Sequence, residues 1–370
     1  MHHVGGWETL IVTRDDVAAI VEAVGHDRLM DEMIAELGRA LAQFDGVTGM
    51  RARDGFVIGA SRAGVLEWMP ILGADSALIK LVSYVPDNPG DRDLPTIVAT
   101  LCLFDTTTGH LVALADGVVA TAIRTGAVSA LASRALARPD STTVGLVGCG
   151  AQAVTQLHAI SRLFRLERAL VHDIEAEVAR SFVARTAFLG LEVEVAPLDR
   201  VEREADILVT ATSVAPGAGP VIRGGELRPA VHINAVGSDL AGKTELPLAV
   251  LERALVCPDY LEQAIREGEC QQLSAAQIGP SLSEVLRRPD DHASWRERTT
   301  VFDSTGFALE DHVAMTIMLG HARALGLGTS LPIEYLAEDP QNPYSPPRLR
   351  AAGRKPAVLD AVAGRRTVRL

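Results

Sequence analysis

The chain is poor in several things that whole classes of protein require. Aromatic residues make up only 4% of its 370 positions, and 35 basic residues face 47 acidic ones, for a net charge of −12. Nucleic acids and anionic membranes call for the opposite balance, and no long basic run or aromatic–basic interleaving supplies it locally, so neither is an expected partner. There are four cysteines, Cys102, Cys149, Cys257 and Cys270, with no C-x-x-C and no clustered histidine. Neither a disulfide framework nor a metal site is expected, and reduced cytoplasmic thiols are the default. No uncharged stretch approaches the ~20 apolar residues of a membrane span. The start, Met1-His2-His3-Val4-Gly5-Gly6-Trp7, has no basic region running into an apolar one, so no signal peptide is expected.

What the chain does have is apolar residues at 48% and enough length for two domains with a large core. Val144-Gly-Leu-Val-Gly-Cys-Gly-Ala-Gln-Ala153 reads as strand, tight turn and helix, with Gly148, Gly150 and Ala153 at the small positions of a G-x-G-x-x-G/A dinucleotide fingerprint. Gly148 permits the turn, Gly150 lets the backbone approach a pyrophosphate, and Ala153 lets helix and strand pack. The helix start offers N–H groups and partial positive charge to phosphates. A second strand-like run, Ala169-Leu-Val-His172, ends at Asp173, where an acid can hold the ribose 2′-hydroxyl and favours NAD over NADP. The alternative is an α/β turn that binds nothing.

On either side the pattern differs. Thr13-Arg14-Asp15-Asp16 opens a helix, and a second covers Asp27–Phe44 with Met30, Met33, Ile34, Leu37 and Leu41 on one face. Short strands follow at Gly64–Met69, Ala77–Val85, Thr96–Phe104 and Leu111–Ala115, with Asp105-Thr-Thr-Thr-Gly109 as a hairpin turn. They suggest an antiparallel sheet. Val118–Ala137 is a helix rich in small residues. From 144 to about 303, strands and helices alternate as in a doubly wound sheet, with strands at Val144–Val147, Ala169–His172, Glu192–Val195, Asp206–Thr210, Val231–Asn234, Ala254–Val256 and Thr300–Phe302. A last helix, Phe307–Ala324, packs back on the first domain. The expected fold is therefore α/β: a Rossmann-type NAD domain over 138–306, an α+β domain over 1–137 completed by 307–330, and an irregular, proline-containing tail over 331–370.

Three cations interrupt segments otherwise suited to packing. Arg53 begins a strand, Lys80 lies within Ala77-Leu-Ile-Lys-Leu-Val82, and Arg124 lies within Thr121-Ala-Ile-Arg-Thr-Gly-Ala127. Together they suit the α-carboxylate of an amino or hydroxy acid. The alternative for each is a solvated or locally paired cation. Asp239 follows the strand Val231–Asn234 and is a candidate proton acceptor for a substrate ammonium, against a turn or capping aspartate. Thr210-Ala-Thr-Ser213 and Val301-Phe-Asp-Ser-Thr-Gly306 follow other strands and are placed to line a cofactor. Cys149 reads as a small filler and Cys270 as structural.

Five blocks in order resemble the ornithine cyclodeaminase/μ-crystallin family: Gly64-Val-Leu-Glu-Trp-Met-Pro70, Arg124-Thr-Gly-Ala-Val-Ser-Ala130, Gly148-Cys-Gly-Ala-Gln152, Asn234-Ala-Val-Gly-Ser-Asp239 with Gly242-Lys-Thr-Glu245, and Phe302-Asp-Ser-Thr-Gly-Phe307. Thr212-Ser-Val-Ala215, Glu245-Leu-Pro-Leu248 and Glu267-Gly-Glu-Cys-Gln-Gln-Leu-Ser274 are most like the bacterial lysine cyclodeaminases within it. The resemblance implies that Arg53, Lys80 and Arg124 hold the substrate carboxylate, with Arg51 or Arg62 as alternatives to Arg53. It implies that Asp239 is the proton donor and acceptor, with Lys80 as the second catalytic candidate. It gives Thr96, Arg124, Gly148, Gly150, Ala151, Gln152, Asp173, Thr212, Val236, Gly237, Ser238, Lys243 and Ser304 as NAD contacts. Thr305 takes a substrate-side position that is valine in ornithine enzymes. The implied activity is L-lysine to L-pipecolate plus ammonia with NAD recycled. Ornithine to proline, an amino-acid dehydrogenase or ketimine reductase, and a non-catalytic NAD- or ligand-binding protein are the alternatives. The implied assembly is a homodimer in which the first domains join their sheets.

Overall fold

The computed structural model describes residues 7–46, 49–59 and 64–348. Two seven-stranded sheets organise it. The first contains β1 (Thr9–Val12), β2 (Asp54–Ile58), β3 (Gly64–Leu72), β4 (Ser76–Tyr84), β5 (Ile97–Asp105) and β6 (Leu111–Asp116). From β2 to β6 each strand pairs antiparallel with the next. The β5–β6 turn is built as its composition suggests. Asp105 Oδ1 accepts the N–H groups of Thr107 (3.1 Å) and Thr108 (2.8 Å), and Gly109 takes the left-handed φ of +75° that closes it.

The second sheet holds β7 (Thr143–Val147), β8 (Arg168–His172), β9 (Glu192–Val195), β10 (Ile207–Thr210), β11 (His232–Ala235), β12 (Leu255–Pro258) and β13 (Thr300–Asp303). It is parallel throughout, in the order β12-β13-β11-β10-β7-β8-β9. The chain runs outward from β7 to β9, then crosses to the other side of β7 as β10. The C-terminal ends of β7 and β10 therefore flank the crevice where such sheets take ligands. After β13 the helix Ala308–Leu325 returns to the first sheet, and β14 (Thr329–Leu331) pairs antiparallel with β1.

The first sheet has the expected antiparallel strands, and one parallel pairing makes it mixed. β1 lies parallel to β6, with Leu10 opposite Ala113. Thr9-Leu-Ile-Val12 is four residues with no alternation, and its partners lie about a hundred or more positions away, so periodicity could not reveal it. Just beyond it Thr13 caps the helix Arg14–Val24 in a reciprocal capping box with Asp16. The helix His26–Gln43 follows, and Met30, Met33, Ile34, Leu37 and Leu41 are all buried. The tail is not wholly detached: the Glu334 carboxylate accepts the Leu111 N–H at 3.1 Å and pairs with His110.

Strand alternation gives the first sheet two faces. Val65, Met69, Leu78, Leu101 and Leu103 point to the interior and are buried. The helices Val118–Leu136 and Ala308–Leu325 cover that side. Small residues allow Val118–Leu136 to lie against neighbours on both sides: a Cβ on Gly126 would stand 2.4 Å from the Thr155 carbonyl oxygen of the Ala151–Leu163 helix. No helix among the described residues is long and apolar enough to cross a membrane.

Candidate active site

A cleft opens between the inner face of the first sheet and the C-terminal ends of the second. Its lining includes Arg53, Glu67, Lys80, Arg124, Asp239 and Thr305. Lys80 is there because it occupies an inward register position of β4, opposite Met69 and Leu101. It is 1% exposed. Its Nζ stands 2.9 Å from Asp311 Oδ1. Arg124, from the middle of the small-residue helix, donates through Nε to the same oxygen at 3.2 Å and through Nη1 to Glu310. Arg53, just ahead of β2, pairs through Nε with Glu267 at 2.7 Å and through Nη1 with Glu67 at 3.4 Å. Its Nη2 donates to the carbonyls of Thr305 and, at 3.1 Å, Gly306. Arg51 instead bonds its neighbour's carbonyl, on Met50, at 2.8 Å, and Arg62 lies outside the described residues.

Burial governs the ionisation of this cluster. It pulls Lys80 down to about 8 against the opposing pull of Asp311. It pushes Glu310 up to about 8 and Glu267 up to about 7, although Arg124 and Arg53 respectively oppose it. Asp311 is the exception: burial alone would raise it, but Lys80 and Arg124 together hold it below the usual carboxylate range. Buried Glu310 Oε1 and Asp311 Oδ2 have no hydrogen-bond partner among the described residues, so the cluster retains polar capacity for a further group.

Asp239 enters from the loop after β11. Its Oδ1 lies 2.9 Å from Lys243 Nζ, which stands 4.9 Å above the centre of the Tyr84 ring. Thr305 is tied down: its hydroxyl donates to Asp259 at 3.0 Å and accepts from Gln263 at 2.7 Å.

The crevice beside β7 has the features a dinucleotide requires. Gly148 has φ +90°, and a Cβ there would come within 2.6 Å of the Ala211 carbonyl oxygen. A Cβ on Gly150 would meet nothing within 4 Å, so the space before the turn is open. The helix Ala151–Leu163 begins without a side-chain cap, leaving its first amides, at Ala151 and Gln152, for an anion. Asp173 accepts the Cys149 N–H at 2.8 Å and the Glu175 N–H at 2.9 Å, which fixes its carboxylate beside the turn. These residues fit NAD, and a fixed carboxylate there opposes a 2′-phosphate.

The remaining cofactor candidates lie on the loops after β10, β11 and β13, but several of their side chains face the protein. Glu245, fully buried, accepts the Thr212 N–H and hydroxyl, each at 2.7 Å, and the Gly237 N–H at 2.8 Å. The Ser238 hydroxyl donates to the Lys243 carbonyl at 2.6 Å. Ser238 and Ser304 are both buried. Val236, also buried, donates its N–H to Thr210. Thr96 sits just before β5, one residue from Ile97, which lines the cleft. In this group the backbone N–H groups of Thr212, Val236, Gly237 and Ser304 are also engaged within the protein.

The acids are what sequence reasoning missed: Glu67, Asp259, Glu267, Glu310 and Asp311. Glu67 carried a signal, since it breaks the inward series Val65, Met69, Ile71. So did Glu310-Asp311, two charges opening an otherwise apolar helix.

Several known proteins are similar to this chain over most of its length. The L-lysine cyclodeaminase of Streptomyces rapamycinicus is 46% identical over 341 residues, covering 91% of this chain and 99% of that one. A solved lysine cyclodeaminase, described for its recognition of L-lysine, L-ornithine and L-2,4-diaminobutyric acid, superposes with a TM-score of 0.89 at 49% identity, covering 91% of this chain and 99% of that one. An archaeal alanine dehydrogenase dimer with bound NAD gives 0.76 at 31% identity, covering 88% of this chain and all of that one. The family profile that matches residues 14–325 covers β2 to β13 and every candidate residue named above, and by it the chain belongs to the ornithine cyclodeaminase/mu-crystallin family.

Proposed function

We propose that this chain binds NAD and converts L-lysine to L-pipecolate and ammonia. The observation that carries this is the meeting of Arg53, Lys80 and Arg124 with Asp239 in one cleft, into which loops from the C-terminal ends of the parallel sheet bring Asp239 and Thr305. In this reading the three cations hold the α-carboxylate and so fix Cα at the mouth of the dinucleotide crevice. Asp239, anchored through Oδ1 to Lys243, takes a proton from the α-ammonium and returns it to the ammonia that departs. Bound NAD supplies a place to deposit a hydride from Cα and to recover it, so the overall conversion has no net redox change. The inner face of the first sheet confines the side chain so that the ε-amine lies near Cα, and closure of the six-membered ring becomes a unimolecular event. The cleft is bounded by Val65, Met69, Val82 and Ile97, which suit the methylenes between the two amines.

The reading includes a homodimer and a cytoplasmic location, where NAD and free amino acids are available. The outer face of the first sheet supports the dimer. Phe56, Leu66 and Val98 lie along one cross-strand row, and Leu81 lies on the next. Their exposures are 61%, 41%, 41% and 44%. An apolar sheet face of that kind is a surface for burial against a second copy.

The deciding experiment is incubation of the purified protein with L-lysine or L-ornithine, without added reductant. Cyclic products and ammonia are followed by mass spectrometry and NADH by absorbance. Pipecolate from lysine with no NADH accumulating is expected. Predominant proline would move the substrate to ornithine, accumulating NADH with an open-chain oxo acid would make the chain a dehydrogenase, and NAD bound without turnover would make it a binding protein. Light scattering on the same sample is expected to give twice 39.3 kDa.

The clamp also predicts a pH limb. Because Lys80 sits near 8 in the free protein, it loses its charge as pH rises through that value. Affinity for a carboxylate is then full below about pH 8 and reduced above it, where only Arg53 and Arg124 keep their charge. A bound carboxylate raises Lys80, so the limb is expected in kcat/KM and displaced to higher pH in kcat. A flat kcat/KM from pH 7 to 9 would remove Lys80 from the clamp.

A further inference from the structure

The six residues Glu267–Gln272 touch both halves of the candidate site. At one end the Glu267 carboxylate pairs with Arg53 Nε at 2.7 Å. Immediately beyond, Asp303 at the end of β13 accepts the N–H groups of Glu269 and Cys270, each at 2.8 Å. Gly268 makes this approach possible, since a Cβ there would stand 2.4 Å from Asp303 Oδ2. At the other end the segment grips the loop 242–246. Glu269 Oε1 accepts the Glu245 N–H at 2.7 Å and the Leu246 N–H at 3.3 Å. Gln271 accepts the Gly242 N–H at 2.7 Å and donates to the Lys243 carbonyl at 3.0 Å. Gln272 donates to Glu269 Oε2 at 2.7 Å and to the Leu246 carbonyl at 3.2 Å. That loop carries Lys243, the partner of Asp239, and Glu245, which holds the backbone of Thr212 and Gly237.

Three buried carboxylates thus form a relay. Asp303 fixes the segment, Glu269 fixes the loop, and Glu245 fixes the ends of β10 and β11. We propose that Glu269 is a positioning residue that sets the cofactor loops in register with the arginine clamp, so that dinucleotide affinity depends on a side chain that touches neither ligand. This rests on the reading of the crevice as an NAD site. Glutamine is nearly the same size as glutamate, but at 269 it must turn an amide NH2 either toward the Glu245 and Leu246 N–H groups or toward the Gln272 NH2. One buried donor then faces another. The reciprocal change Gln272→Glu restores an acceptor opposite it.

The experiment is calorimetric titration of NAD into the whole protein for wild type, Glu269→Gln, Glu269→Gln/Gln272→Glu and Gln271→Ala, with far-UV circular dichroism melts alongside. Wild type is expected to bind. Glu269→Gln is expected to weaken NAD about tenfold and to raise the KM for the amino acid with a smaller change in kcat. The double variant is expected to recover at least half of the loss on a logarithmic scale. Gln271→Ala, less buried and removing two of the loop contacts, is expected to weaken NAD in the same direction and serves should Glu269→Gln not fold. A wild type that does not bind NAD overturns the cofactor reading itself. A wild type that binds while folded Glu269→Gln or Gln271→Ala binds equally well overturns the positioning role alone. So does a loss in Glu269→Gln that the double variant fails to recover while its melting temperature does recover.

Discussion

Asp239→Asn is expected to lower turnover by about 10²–10⁴-fold while leaving amino-acid binding largely intact. Asparagine has the same outline and can still accept from Lys243 Nζ, now 2.9 Å from the carboxylate. What it loses is the capacity to hold a proton. Although burial opposes its charge, the neighbouring Asp239 carboxylate keeps Lys243 up at about 12, so the ammonium persists across the working pH range and continues to anchor the side chain at 239. The loss should therefore fall on kcat, with KM within a few-fold of wild type. Single-turnover absorbance at the NADH wavelength, with steady-state product formation, separates the steps. Cyclisation at the wild-type rate would remove Asp239 from acid–base work.

Gly306→Ala is expected to cost about 10²-fold in kcat/KM, though residue 306 lies in a loop and gains only a methyl group. Its φ is +71°, a region that penalises an alanine by roughly 1–2 kcal/mol. The new Cβ would also stand 2.5 Å from Arg124 Nη1 and 2.8 Å from Nη2. The far end of an arginine ordinarily moves aside cheaply. This one is held by Glu310 and Asp311 inside the protein, and displacing it would strand two buried carboxylates. The loop has little slack either: the Gly306 N–H donates to Asp259 at 2.6 Å, and its carbonyl accepts from Gln263 at 2.7 Å and from Arg53. Both arginines of the clamp are thus registered on this one backbone position. Thermal melting and kcat/KM measured together test it. A folded variant with wild-type KM would show that Arg124 does not bind the substrate carboxylate.

Much of this was legible beforehand because it is local. The apolar run over 77–85, bounded by turn residues, located β4 to within a residue at each end, as Ser76–Tyr84. The run Val144–Gly150 specified strand and turn because positive φ and close approach admit so few residues. The three cations were conspicuous because a charge among apolar residues violates the pattern of its own segment. The partners of those cations were not legible. Asp311 is 231 residues from Lys80 and 187 from Arg124, and Thr305 is 252 from Arg53, so nothing within one segment announces the contacts. For the same reason the segment 267–272 could be matched by resemblance but not given a job. Thr212 and Ser238 lie on the loops after β10 and β11, but their side chains turn inward because buried acceptors claim them, which is a matter of three-dimensional satisfaction.

The return of helix Ala308–Leu325 to the first sheet has a consequence for how the protein is made. On the ribosome Lys80 and Arg124 emerge early, whereas the carboxylates that neutralise them, Glu310 and Asp311, are among the last residues of the folded body to appear. Until then the nascent N-terminal half carries two cations on a surface destined for the interior, and its sheet lacks both a covering helix and the edge strand β14. The second sheet, whose strands are contiguous in the chain from 143 to 303, faces no such delay and can mature during synthesis. Assembly of the clamp is thereby deferred until translation has passed about residue 325, and a truncated product would present an incomplete first sheet beside a finished second one.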